Sequence, residues 1–258
     1  MSKIINTSEK KFGTRFDQFL NAQREVVENV DSVVAEILLN IKTRGNDALL
    51  EYTKKFDRVQ VDAASMQFSE DEIADAKRKC NEDALSALTF ASERIRAFHL
   101  KQIPEDYSFD DNLGVHLGMR WTPLAAAGIY VPGGTATYPS SVLMNAIPAK
   151  VAGVKRVAMV VPTPDGLFNP LVLAAADIAG ISEIYRVGGA QAIGALAYGT
   201  ETIDAVDKIT GPGNAFVASA KRQVFGSVGI DMIAGPSEIL VVADSNNDPS
   251  WIAADLLS

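Results

Sequence analysis

The stretch Ile184-Tyr185-Arg186-Val187-Gly188-Gly189-Ala190-Gln191-Ala192-Ile193 decides the fold. A short apolar run rich in β-branched and aromatic residues meets a Gly pair, and small helix-compatible residues follow. This pattern predicts a buried strand, a tight turn and a helix start in quick succession. The same beat recurs along the chain, with strands expected at 129–131, 157–161, 206–209 and 239–242 as well as 184–187. The turns between them are Pro132-Gly133-Gly134, Pro162-Thr163-Pro164-Asp165-Gly166, Gly188-Gly189-Ala190 and Thr210-Gly211-Pro212-Gly213-Asn214. Short apolar strands alternating with helices of roughly 10–15 residues mark parallel βαβ units with helices on both faces. Right-handed crossovers then put every such turn at the carboxyl edge of the sheet, where open α/β folds bind ligands.

Upstream, residues 1–105 read as helical. Val30, Val33, Val34, Ile37, Leu38 and Ile41 carry a helical apolar spacing that stops at Gly45. Asn46 is expected to cap a helix at 47–56, and Ser69-Glu70-Asp71-Glu72 fits a capping box. Asn81 caps a longer helix, 82–102, that ends before Pro104. Two strands, 115–121 and 125–131, follow, broken by Pro123. The expected organisation is an N-terminal helical region with the first strands (1–128), a Rossmann-like unit (129–237), and a return toward the first part (238–258). In that last stretch Asn247 or Asp248 caps a helix and Pro249 suits its first turn. Trp251, Ile252, Leu256 and Leu257 begin an apolar face there, so the chain is expected to stop inside a helix of a longer protein.

Composition narrows the partners. The 258 residues carry a net charge of −8 and no Lys/Arg run longer than Lys77-Arg78-Lys79, which argues against nucleic acid and anionic membrane. Cys80 is the only cysteine, so no intramolecular disulfide forms and a reducing compartment is expected. The first residues lack a signal-peptide apolar core, and no apolar run reaches the roughly 18 residues of a membrane span. A cytoplasmic protein is the expectation.

The turns carry the chemistry. Gly133-Gly134, Gly188-Gly189 and Gly211-Pro212-Gly213-Asn214 each let backbone amides approach a ligand, and each precedes a helix whose N-terminal end favours anions. Gln191 and Asn214 add side-chain amides at two of these ends. Three such ends along one sheet edge suit a dinucleotide. Each Gly pair taken alone reads more readily as a tight strand-to-helix turn than as a phosphate cradle, and no G-x-G-x-x-G is present. Metal and acid–base signals are poorer. His99, His116 and Cys80 fall on three different elements, with no H-x-x-x-H, C-x-x-C or H-E-x-x-H, and the histidines read as surface or packing residues. Tyr130, Tyr138 and Ser140 flank the first turn without a Ser/His/Asp arrangement. Lys208, Lys221 and Arg222 are able to meet phosphates, although Lys221 and Arg222 read as solvated helix charges. The acids Asp165, Asp177, Glu201, Asp204 and Asp231 look scattered.

Taken in order, the runs 129–136, 138–144, 162–166, 187–193, 206–209, 211–214 and 229–231, with Ala234-Gly235-Pro236-Ser237-Glu238, resemble the histidinol dehydrogenase family. Lys55-Phe56-Asp57 and the segment 95–102 are similar to it as well, while Gly194 and Phe216 stand where Ala and Tyr are usual. The resemblance implies an α/β fold of incomplete, aldehyde dehydrogenase-like Rossmann units and an intertwined homodimer. It implies NAD- and zinc-dependent oxidation of L-histidinol through the aldehyde to L-histidine, in two hydride transfers. NAD contacts fall at Tyr130, Gln191 and Asn214, and a substrate contact at Ser237. No catalytic residue and no zinc ligand maps onto this chain: the first zinc ligands, a Gln and a His, are expected just beyond Ser258, so the 258 residues alone are expected to be inactive. Two other readings stay open, a non-catalytic NAD-binding or assembly fragment and a dehydrogenase of another polar alcohol such as a sulfonated diol.

Overall fold

The computed structural model describes residues 6–133, 138–233 and 239–257, with residues 18–29 given by backbone alone. Helix α1 (Phe12–Arg44) begins well upstream of the periodic stretch and ends at Gly45, whose N–H donates to the Ile41 carbonyl. Helix α2 (Asn46–Asp57) follows at once. Asn46 is its first helical residue rather than its cap, because its side chain is used elsewhere: Nδ2 donates to Thr202 Oγ1 at 2.7 Å and its backbone N–H to Glu201 Oε2 at 2.7 Å. Helix α3 (Glu70–Arg78) carries the expected capping box, with Ser69 and Glu72 exchanging hydrogen bonds. Asn81 caps α4 (Glu82–Leu100) by accepting from the Asp83 N–H.

Strand β1 (Tyr107–Asp110), which the sequence reading does not mark, pairs antiparallel with β2 (His116–Met119), the core of the expected strand at 115–121. The Asp111 carboxylate holds the turn by accepting from the Leu113 and Val115 amides. The main sheet contains β3 (Ala126–Tyr130), β4 (Arg156–Val160), β5 (Glu183–Tyr185), β6 (Lys208–Thr210) and β7 (Gly229–Ile230). All pairings are parallel and the order is β5-β4-β3-β6-β7. The strand expected at 239–242 is not one. Among the described residues 239–242 pairs with no strand, and Leu240 and Val242 stand exposed. An apolar β-branched run has strand propensity but becomes a strand only where a partner strand lies alongside it.

Between the strands run α5 (Pro139–Val151), α6 (Pro170–Ile178), α7 (Gly189–Tyr198) and α8 (Ala215–Val224), with a single 3₁₀ turn at Pro164–Gly166 before α6. The chain ends its described part in α9 (Pro249–Leu256), capped by Asp248 as expected. Side chains alternate across the sheet with the period of two that strands impose. Ile129, Val131, Val157, Met159, Val161 and Ile184 join α3, α5 and α6 in one core. Tyr130, Ala158, Val160, Tyr185 and Ile209 join α1, α2, α7 and α8 in the other. Each fully buried Ile or Leu here contributes roughly 1.5–3 kcal/mol. The first two helices thus cover one face of the sheet and the next two pack on the other, which makes a doubly wound α/β architecture.

Counted in chain order, the strands of the main sheet run 3-2-1-4-5, so the winding reverses between β3 and β6. The crossovers from β3 and β4 lie on one face and those from β5 and β6 on the other, which parts the chain at the carboxyl ends of β3 and β6. Such a switch point leaves a crevice where open α/β sheets hold ligands.

Candidate functional site

A cavity of about 730 Å³ opens at that crevice, within the size range of small-molecule and cofactor sites. Its walls come from the ends of three helices and the turns before them. Gly133, Tyr138 and Ser141 belong to the β3–α5 connection, Gly189, Ala190 and Gln191 to α7, and Gly213, Asn214 and Phe216 to the start of α8. Pro162 and Pro164 add the β4 turn, and Phe56 and Asp57 reach in from the end of α2. The turns that the sequence places along one edge therefore meet at one site, and Tyr130, Gln191 and Asn214 all line it. Ser237 and Gly134 lie outside the described residues.

Glycine is required where these turns touch each other. A Cβ on Gly188 would lie 2.2 Å from Pro162, and one on Gly211, at φ +117, would lie 2.0 Å from the Tyr130 carbonyl oxygen. These contacts bear out the packing reading of the turns: the close approach of the loops forms the cavity floor.

Three side chains define its chemistry. The Tyr130 ring is buried under the cavity, and its hydroxyl accepts from the Gly189 N–H at 3.1 Å. Burial pushes the phenol up to about 12, the Gly189 hydrogen bond opposing and the nearby Asp57 carboxylate adding to the shift. The hydroxyl thus keeps its proton at neutral pH. Gln191 is 1% exposed, and neither its Oε1 nor its Nε2 has a partner among the described residues. Buried amides left this way cost about 1–3 kcal/mol, and a ligand that pairs with them recovers that loss. Asn214 caps α8 by accepting from the Val217 N–H at 3.1 Å, which leaves its NH₂ as the remaining side-chain donor.

Two features escape the sequence reading. Lys221 is not a solvated helix charge. It is 5% exposed, its Nζ donates to the Gly211 carbonyl at 2.9 Å, and it pairs with Asp231. Asp231 in turn accepts from the Gly211 N–H at 2.9 Å. Burial raises the Asp231 carboxyl, but the hydrogen bonds from Lys221 and from the Gly211 and Met232 amides outweigh it and hold it below the usual range. This pair grips both polar groups of Gly211 and fixes the turn that presents Asn214. Arg222, by contrast, reaches Asp31 on α1.

The second feature is Asp57. It is 8% exposed, lines the cavity, and its Oδ2 has no partner among the described residues. Burial pushes its carboxyl up to about 6 against the opposing Arg58 charge. Lys55-Phe56-Asp57 stands out in the sequence only as part of a resemblance. Its arrival here depends on contacts more than a hundred residues apart. The Arg58 guanidinium, at a left-handed φ of +54, donates to both oxygens of Asp165 at 2.7 and 2.6 Å and pins the end of α2 to the β4 turn.

Among the described residues, no group of three or more His, Cys, Asp or Glu side chains is placed to hold a metal ion, and no helix is long and apolar enough to cross a membrane. The cavity offers backbone and side-chain donors, apolar walls and one carboxylate.

Comparison with known proteins identifies relatives of this chain and of its fold. A family model described as histidinol dehydrogenase matches residues 20–258. A Ruegeria pomeroyi protein named histidinol dehydrogenase is 59% identical over 258 residues, all of this chain and 60% of its own length. One of the same name from Rhodospirillum rubrum is 60% identical over 254 residues, 98% of this chain and 58% of its own. The crystal structure of histidinol dehydrogenase from Elizabethkingia anophelis matches with a TM-score of 0.81 and 41% identity, over 88% of this chain and 52% of that one. The chain spans about 60% of the length of the Ruegeria relative.

Proposed function

The chain belongs to the histidinol dehydrogenase family, and from that premise we propose that it supplies the NAD-holding part of an enzyme that oxidises L-histidinol to L-histidine in the last steps of histidine biosynthesis. One observation carries this reading: a cavity at the switch point between β3 and β6 gathers Tyr130, Gln191 and Asn214 around three helix N-terminal ends. Its residues fit a dinucleotide. The buried Gln191 amide lacks partners until a ligand provides them, and the α7 and α8 ends offer N–H donors to a pyrophosphate. When bound, NAD accepts hydride from the alcohol. The role of this chain's residues is to bind and orient it. Tyr130 anchors the Gly189 turn with a hydroxyl that stays protonated, Asn214 donates from the head of α8, and the apolar walls of Phe56, Pro162 and Phe216 exclude water.

The described residues do not fit a zinc ion, so no step is assigned to one here. We place zinc binding, proton transfer and most substrate contacts in the part of the family's length that this chain does not span, with Ser237 as the substrate contact within it. The working form is proposed to be a cytoplasmic homodimer, and the 258 residues alone are expected to produce no NADH from histidinol.

Calorimetric titration of the complete protein with NAD tests the reading. Gln191→Ala should weaken binding at least about 10-fold while the melting temperature holds or rises. Unaltered affinity in this variant would remove Gln191 from the cofactor site.

A further inference from the structure

We propose that Asp57 sets the cofactor specificity of this site: its carboxylate receives the ribose hydroxyls of the adenosine half of the dinucleotide and excludes a 2′-phosphate. The proposal rests on the reading of the cavity as an NAD site and assigns one of its contacts. Four observations carry it.

Asp57 lines the cavity beside Phe56, at the end of a helix fixed at both ends. It is more than nine-tenths buried, and Oδ2 has no partner among the described residues. An ionised carboxylate only accepts hydrogen bonds, so the ligand group that completes it must be a donor. Ribose hydroxyls are such donors and phosphate oxygens are not. The pyrophosphate has better places, at the N-terminal ends of α7 and α8, away from a repelling negative charge.

The charge inventory points the same way. No Lys or Arg lines the cavity among the described residues, and the neighbouring Arg58 is committed in both directions of its fork to Asp165. Sites that accept a 2′-phosphate place a cation there, and sites that select the free hydroxyl place an acid. In doubly wound folds of this kind the acid usually follows the glycine-rich turn within the same βαβ unit. Here the corresponding group arrives from an N-terminal helix, about 75 residues before the β3 turn by its number, where motif reading does not look for it.

The test measures equilibrium binding of NAD and NADP to the complete protein and to its Asp57→Asn and Asp57→Ser variants, with melting temperatures alongside. The wild type should bind NAD in strong preference to NADP. Asp57→Asn should weaken NAD about 10-fold or more, as expected for loss of a hydrogen bond to a charged group. Asp57→Ser, which opens space and removes the charge, should narrow the NAD-to-NADP ratio by a similar factor. Neither variant should melt below the wild type, since each removes a buried charge. A wild type that binds no NAD would overturn the site and this assignment together. Wild-type NAD binding with an NAD-to-NADP ratio unchanged in both variants would overturn the assignment alone.

Discussion

At Asp57 the folded chain holds a carboxyl group away from water with one oxygen unpaired, and its acidity moves from 3.8 to about 6. The folded state therefore binds the proton more tightly than the unfolded state. This group's contribution falls as pH rises from about 4 through 6, and at neutral pH it costs on the order of 2–3 kcal/mol. Asp57→Asn should raise stability at pH 7.5 by an amount of that order and have little effect near pH 3, below the unfolded value. Urea denaturation at both pH values measures the difference, and an equal effect at both would contradict the burial argument. Lys221 is the opposite case, a charge whose partners are complete. Lys221→Met leaves Asp231 without its cation, held only by the Gly211 and Met232 amides, and frees the Gly211 carbonyl, so it should cost roughly 1.5–3 kcal/mol and weaken NAD. Adding Asp231→Asn should restore part of the stability, as seen in denaturation midpoints of the single and double variants. Neither residue's role was legible. Lys221 read as a solvated helix charge able to meet phosphates, and Asp57 stood out only within the run Lys55-Phe56-Asp57. Their roles come from partners brought close only by the sheet.

At the scale of elements, local chemistry was easiest to read. Ser69 and Glu72, Asn81 and Asp248 cap where their spacing predicts, because a cap is satisfied within a few residues. The Gly-rich turns fell correctly at strand ends for a similar reason. The failures depended on partners far along the chain: Asn46, taken up by Glu201 and Thr202, and strands that need a partner strand alongside. Gly229–Ile230, only two residues and one of them a glycine, became β7 beside β6, while the longer apolar run 239–242 pairs with no strand among the described residues. Capping also gives a clean test at the cavity. Asn214→Asp retains the oxygen that caps α8 and should keep the melting temperature, yet it replaces a donor with a negative charge and should abolish dinucleotide binding. Asn214→Ala should lose both the contact and about 1 kcal/mol of stability. Equal NAD affinity in Asn214→Asp and wild type would show that this helix end does not face the phosphates.

For the whole molecule, the switch between β3 and β6 explains why scattered turns become one site. Strand order sends α5 and α6 to one face and α7 and α8 to the other, and the N-terminal ends of α5, α7 and α8 converge where the winding reverses. The alternation of apolar strands and helices was enough to predict the sheet edge. It was not enough to predict which turns would be neighbours, since that depends on strand order. The N-terminal helices complete the arrangement by covering both faces and delivering Asp57. The most direct measurement is a structure of the complete protein with NAD bound. The account predicts the dinucleotide in the cavity between β3 and β6, its pyrophosphate at the heads of α7 and α8 and its adenosine ribose against Asp57. A dinucleotide bound elsewhere, with Gln191 and Asn214 untouched, would contradict it.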